Sequence, residues 1–514
     1  MMMAGPFAIL ALVASLLGGG PNDLLDYLST QDYWKAKGVE VGAPAMEAEL
    51  AVPATADLSA LIKDLGSADF QTRESAQQKI EAAGAAAIGQ LQPALKSADP
   101  EVVSRAQAII EHLGSASHAR DVRRLMAIRT LGELKDQGAL KLLQPLLASK
   151  DLFVADYAAA AIAAIEGKPY ARPGPSVAER AADLGLLPAD VGAVGQLHVA
   201  GGTDTKGLEA TITQAAEAMN QPKEQVSAMI AQGLIQAAEL VGNVRIDSVT
   251  LGVADSIADR PAKGYVVVMA RGVYDRKAVA ALLTKGAGPQ QQAREENGVQ
   301  IISSSTNANF LLPSDQQLIV ILGPSNESLP IPALLGALKT GRGGFAQNAA
   351  LNKVVQTVDT TKPIWAAMVI SDNYRQAPIL APFDALTLTT EVKTKPQGIA
   401  FKISATGSDK DKTAAAVDKL NGDIQKAIAQ MQQMQQMMQG QMGGRAAMFG
   451  PILETMQSIK VVADGANATM TGSASGLNPL GVILPMFWFR AAAMHRAAPV
   501  QAGPPPAQTP NSVP

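Results

Sequence analysis

Leu91-Gln-Pro-Ala-Leu-Lys-Ser-Ala-Asp99 returns as Leu143-Gln-Pro-Leu-Leu-Ala-Ser-Lys-Asp151, with Leu, Gln, Pro, Leu, Ser and Asp coinciding at one offset, 143 − 91 = 52. The same pattern follows each Asp. Seven residues beyond Asp69, Asp99 and Asp151 stand Ala76, Ala106 and Ala158; eleven beyond stand Ile80, Ile110 and Ile162; a Gly follows at Gly84, Gly114 and Gly167. Asp caps a helix N-terminus by accepting a backbone N–H, Ala lets two helices approach, Ile fills the core, and Gly ends the helix. Residues 58–167 are therefore expected to form an α-solenoid of stacked helix pairs, because neighbouring pairs bury together the apolar faces that one pair leaves open.

The residues carry a family resemblance as well. Met126-Ala-Ile-Arg-Thr-Leu-Gly-Glu-Leu-Lys-Asp136, Ala139-Leu-Lys-Leu-Leu143 and Asp151-Leu-Phe-Val-Ala-Asp-Tyr-Ala-Ala-Ala-Ala-Ile162 resemble the bacterial HEAT repeat of the phycobilisome-lyase-like type. Asp69-Phe-Gln-Thr-Arg-Glu-Ser-Ala76 is similar to the opening of HEAT units in planctomycete envelope proteins. The resemblance spans about a fifth of the chain and implies a protein-binding scaffold rather than a reaction. One departure stands out: many such units carry Arg before the Ala, as in Arg105-Ala106, whereas Tyr157 precedes Ala158.

On the N-terminal side, residues 21–57 hold Asp23-Leu-Leu-Asp-Tyr-Leu28 and Asp32-Tyr-Trp-Lys-Ala-Lys37, which read as lead-in helices, then Val52-Pro-Ala-Thr-Ala-Asp57 as a breaker and cap. Residues 1–20 carry an apolar run, about Ala4 to Leu17, too short to span a bilayer and matching a secretory signal, although no Lys or Arg precedes Lys35. Export to the periplasm or cell envelope is the expectation.

On the C-terminal side, Lys168-Pro-Tyr-Ala-Arg-Pro-Gly-Pro175 reads as a stiff linker, residues 168–176. Strands and helices alternate beyond it. Ser248-Val-Thr-Leu-Gly-Val253, then Gly264 to Asp275 and a helix near Ala278, is matched by Ala385-Leu-Thr-Leu-Thr-Thr390, then Gly398 to Asp409 and a helix near Ala414; the spacing is 398 − 264 = 134. This predicts a duplicated α+β domain with antiparallel sheets, its halves at 177–360 and 361–476. Residues 477–498 form an apolar segment and 499–514 a Pro-rich tail expected to be disordered. The fold class is thus multidomain: an N-terminal α-solenoid followed by a duplicated α+β domain.

Composition narrows the function. Hydrophobic residues make up 47% and charged residues 17%, which suits packed domains. The net charge of −3 offers no general attraction to nucleic acid, so no nucleic-acid partner is expected. With no cysteine, disulfides, thiolate catalysis and Cys-ligated metals are excluded.

Each candidate for chemistry has a plainer reading. The four histidines, His112, His118, His198 and His495, lack metal-ligand spacing. Met431, Met434, Met437, Met438 and Met442 could offer thioethers to copper(I), but such a face more often packs in a core or against a partner. Gly341-Arg-Gly-Gly-Phe-Ala346 follows a helix rather than a strand and reads as a loop, and Gly472-Ser-Ala-Ser-Gly476 has Ala at its centre, so it is no nucleophile elbow. Asp183, Asp190, Asp204, Asp372 and Asp384 sit near strand ends, where capping explains them. Val482-Ile-Leu-Pro-Met-Phe-Trp-Phe489, with Arg490 and Arg496, could lie at a membrane surface.

No catalytic, cofactor-binding or metal residue is therefore assigned. The expectation is an exported, non-enzymatic scaffold that binds a protein partner. An envelope ligand-binding protein or hydrolase with a pocket in the α+β domain, and a membrane-surface-associated protein, are the alternatives.

Overall fold

The computed structural model describes residues 23–50, 57–83, 86–170, 172, 174–198, 221–257, 263–286, 292–303, 308–323, 329–394, 397–442 and 450–475. The apolar segments at both termini, the Pro-rich tail, Asp204 and residues 208–220 lie outside them. Among the described residues no helix is long and apolar enough to cross a membrane.

The chain combines a helical N-terminal part with an antiparallel sheet. The lead-in forms a 3-10 turn, Leu24–Tyr27, and two helices, Thr30–Ala36 and Ala43–Leu50, and three helical hairpins follow. Ser59–Asp64 precedes Phe70–Ala82; Ala86–Leu91 runs through a 3-10 turn into Pro100–Leu134; Leu140–Leu143 runs through Gln144–Ala148 into Leu152–Glu166. All three expected caps are present. Asp69 accepts from Thr72 N, Asp99 from Glu101 N, and Asp151 from Phe153 N and Val154 N. Pro93 and Pro145, which have no N–H to donate, sit where each first helix tightens to 3-10 geometry.

Two readings need correction. Gly114 does not end a helix: Pro100–Leu134 is one helix of 35 residues. A single interior glycine costs only about 1 kcal/mol, and the buried stripe resumes at Val122, Leu125 and Met126. The left-handed end comes at Lys135, with φ 53°, whose N–H bonds back to Leu131 and Gly132. Gly167 does close its helix, with φ 69°. Of the three isoleucines only Ile80 is fully buried; Ile110 and Ile162 are half-buried, and Ile109 and Ile165 take the inner positions. Ala76, Ala106 and Ala158 are buried as expected, and Gly132 marks a further close helix approach, where an added Cβ would lie 2.7 Å from the Ala161 Cα.

The sheet has twelve strands, all paired antiparallel: β1 (Val191–His198), β2 (Arg245–Ala254), β3 (Val266–Val273), β4 (Gln292–Glu296), β5 (Val299–Ser303), β6 (Ala308–Ser314), β7 (Gln317–Leu322), β8 (Ile364–Val369), β9 (Phe383–Thr394), β10 (Gln397–Gly407), β11 (Lys460–Asp464) and β12 (Asn467–Ser475). Their order is β11-β12-β10-β9-β8-β1-β2-β3-β7-β6-β5-β4. The two expected halves thus share one sheet, joined where β1 pairs β8 through Gly195 and Ala366. Outward from that seam the arms run alike. Each places a first strand, a two-strand hairpin, and a strand that returns after a helix, β7 beside β3 and β12 beside β10.

The register assigns the faces. On one face, Leu197, Val249 and Ala270 pack against the helical part, and Leu386, Ala405 and Met470 against the helices Lys410–Met442 and Gly450–Ser458. On the other, Val194, Met269 and Ala367 pack on Ile331–Thr340 and Ala349–Val355, while Lys402 and Thr471 are exposed and Thr387 and Ser404 half-buried. An antiparallel sheet accommodates one wet face.

The first two helical hairpins bury their own core around Leu65, Ile80, Leu91 and Ile109. The third shares a core with the lead-in and the sheet: Leu25, Trp34, Met126, Ala158, Ala238 and Ile246 belong to one cluster. Helices and sheet are therefore continuous in packing.

Candidate functional site

Asp23 caps the 3-10 turn Leu24–Tyr27, its Oδ1 accepting from Leu25 N at 3.1 Å. That turn lies beside β2: Leu24 N donates to Val244 O at 2.8 Å, and Asp23 bridges Arg245. Gly272 makes room for this edge, since a Cβ there would lie 1.9 Å from Arg245 O. From helix Leu152–Glu166, the Tyr157 hydroxyl reaches Asp23 Oδ1 at 2.9 Å and Asp26 Oδ1 at 3.1 Å. Arg172, from the Pro/Gly segment, donates to Asp26 Oδ2 at 3.0 Å, pairs with Asp156 and lies 3.7 Å from Asp23 Oδ2. Its guanidinium stands 5.5 Å from the Tyr157 ring centre. Tyr170 donates to Asp156. Arg245 faces both Asp156, at 3.5 Å, and Asp247, at 3.1 Å.

Four buried carboxylates thus meet two buried guanidiniums where lead-in, last hairpin, linker and sheet converge. The excess of buried negative charge opposes ionisation. Burial and the neighbouring Asp26 raise Asp23 from 3.8 to about 7, against the opposing pull of Arg172. Burial, with Asp23 and Asp26, holds the Tyr157 hydroxyl well above its ordinary value. Arg172 loses by burial but gains more from Asp23, Asp26, Tyr157 and Asp156, and stays charged. The linker expected at 168–176 is pinned here through Tyr170 and Arg172. These groups sit inside the protein and pair mostly with one another, so the cluster is a joint that ties the four elements together.

The residues weighed as catalytic or metal-binding do not converge. His118 bridges Leu240 O at 3.2 Å and Asp275 Oδ2 at 3.1 Å, and the bond to Asp275 raises its pKa despite partial burial. His198 contacts Thr360 O, and burial aided by Arg180 lowers it to about 4. The His112 side chain and His495 lie outside the described residues. Asp183 receives Arg271 and Gln317, Asp190 receives Tyr265, and Asp372 and Asp384 share Arg375. In the Gly341–Ala346 loop, Gly343 N donates to Gly185 O and Phe345 N to Leu187 O, which leaves these N–H groups turned inward. Gly472 and Ser473 lie on β12, Gly472 under the Phe401 ring. Met431 and Met434 lie on one helix, Met434 exposed; the other three methionine side chains are outside the description. Among the described residues no group of three His, Asp or Glu could hold a metal ion.

One surface feature escapes the sequence. Leu142, Leu147 and Leu152 on the third hairpin, and Leu134 at the end of the long helix before it, are 42–49% exposed. Apolar periodicity reads such leucines as core.

No family model matches the chain, and no curated protein matches it. Crystal form III of TP0453 is similar to part of it, at 11% identity and TM-score 0.34, over 59% of this chain and 96% of that one. Crystal form I gives 10% identity and TM-score 0.31 over 59% and 96%. A likeness this distant says nothing of what this chain does.

Proposed function

We propose that the chain is an exported, non-enzymatic scaffold that holds a protein partner on its helical part. In this reading residues 58–167 are HEAT-type repeats, the two sheet arms are copies of one unit, and the sheet is the platform that fixes the stack. The single observation that carries it is the set of leucines on the third hairpin. That hairpin buries one side in the shared core through Leu143, Val154 and Ala158, yet keeps Leu142, Leu147 and Leu152 exposed. Exposed apolar residues grouped on one element mark interaction surfaces. The hydrolase alternative needs two carboxylates open to substrate, whereas Asp23, Asp26 and Asp156 are buried against Arg172.

Deleting the repeats would strip the core they share with the sheet, so the test uses surface substitutions. Tagged full chain, Leu142→Asp/Leu147→Asp and a Val462→Asp control on β11 are purified from the native envelope fraction. The reading expects a stoichiometric partner with the parent and the control that is missing from the leucine variant. Equal recovery with all three would overturn it.

A further inference from the structure

The internal repeat shows what is particular to the third hairpin. At the offset of 52, Ala82, Gln90, Leu95 and Pro100 stand in and just before the second hairpin where Leu134, Leu142, Leu147 and Leu152 stand in and just before the third. Leu95 is half-buried, and the other three positions have no large apolar residue. The same offset sets Ala83, Gly89 and Ala98 against Lys135, Lys141 and Lys150. Leucines and lysines thus enter together, on exposed positions that the hairpin's own packing does not use.

All three lysines are exposed, and no carboxylate lies within ion-pairing distance of them among the described residues. The acids nearby are engaged. Asp136 accepts from Gly138 N, Asp151 caps Leu152–Glu166, and Glu133 pairs with Arg129 at 2.9 Å. The surface therefore offers apolar contact flanked by cations whose charge is not met within the chain.

We infer that the third hairpin docks an acidic amphipathic segment of the partner protein, with apolar residues on Leu142 and Leu147 and carboxylates beside Lys135, Lys141 and Lys150. The inference rests on the scaffold reading and adds the chemistry of the partner. A peptide with leucines at i, i+3 and i+7 and glutamates elsewhere matches both features at once, as in helix-on-groove recognition. Complementary charge sets the preference and the salt dependence, while the leucines give the contact its area. An anionic bilayer would also attract lysines, but interfacial surfaces favour Trp and Tyr, and this patch is aliphatic.

The test uses two fluorescent synthetic peptides of roughly 18 residues with the same leucine stripe, one filled with Glu and one with Lys. Binding to the full chain is read by anisotropy. The acidic peptide binds at least about tenfold more tightly in low salt, and the preference fades as ionic strength rises. Lys141→Glu/Lys150→Glu reverses the preference, and Leu142→Asp/Leu147→Asp removes binding of both peptides, with unchanged circular dichroism in each variant. Equal binding of the two peptides, or binding of neither, overturns the inference. So does co-sedimentation with anionic phospholipid vesicles that Leu142→Asp/Leu147→Asp abolishes while neither peptide binds. If the peptides fail while the leucine variant still loses its envelope partner, the partner's chemistry is wrong and the scaffold reading stands. If the partner is also retained, both fall.

Discussion

Replacing Asp23 by Asn removes the proton-binding group of the buried joint while keeping an oxygen for Leu25 N and the Tyr157 hydroxyl. In the folded protein this carboxyl holds its proton up to about pH 7, because burial and Asp26 oppose ionisation, whereas its ordinary value is 3.8. The folded state therefore binds a proton across the interval where the unfolded chain has released it. The stabilisation is full below the unfolded value and is lost as pH rises through 7. At about 1.4 kcal/mol per pH unit, the interval amounts to at most about 4 kcal/mol. Its Oδ2 accepts no hydrogen bond and faces Arg172 at 3.7 Å, so Asn loses only a loose ion pair there. Urea unfolding followed by tryptophan fluorescence, which the buried Trp34 reports, measures both proteins from pH 4.5 to 8. The difference between them isolates Asp23 from His198, whose depressed pKa acts in the opposite sense, losing stability as pH falls. The Asn variant gains on the parent as pH rises from 5 to 7 and then levels off. A difference that stays flat over that range refutes the reasoning.

Arg172→Met leaves Asp23, Asp26 and Asp156 short of a counter-charge and costs about 3–5 kcal/mol by denaturant unfolding; the loss is larger at pH 8 than at pH 5, because Asp23 is then asked to ionise. Gly132→Val forces apart the helices Pro100–Leu134 and Leu152–Glu166 and lowers the urea midpoint by the equivalent of about 1–3 kcal/mol, with Gly132→Ala intermediate. Lys135→Gly relieves the left-handed backbone at the end of the long helix and stabilises by about 1 kcal/mol in the same assay.

The helical register was legible because each Asp acts locally. Asp69, Asp99 and Asp151 cap the helices that begin beside them, and a cap needs only its own next residues. The strands β2, β3, β9 and β10 were legible from their apolar runs and turn residues. β4 was not: Gln292-Ala-Arg-Glu-Glu296 is a charged edge strand without an apolar face. The usable signal was Asn297-Gly298, both at positive φ, a two-residue hairpin turn. Gly114 misled because one glycine does not outweigh the buried stripe on either side. The joint was out of reach, since Asp23 meets Tyr157, Arg172 and Arg245 across more than a hundred residues of chain. One sign of it was readable: Tyr157 stands, at the offset of 52, where the second hairpin carries Arg105, and its hydroxyl is the donor that ties the lead-in to the last hairpin.

The central claim is that the outer face of the third hairpin meets a protein. A photo-cross-linking amino acid placed singly at Leu142, Leu147 or, as a control, Val462 tests it in the intact envelope. The account predicts one shared cross-linked protein at positions 142 and 147, absent at 462, and lost at 142 when Lys141 and Lys150 are changed to Glu. No adduct at either leucine, or the same adducts at all three positions, would contradict it.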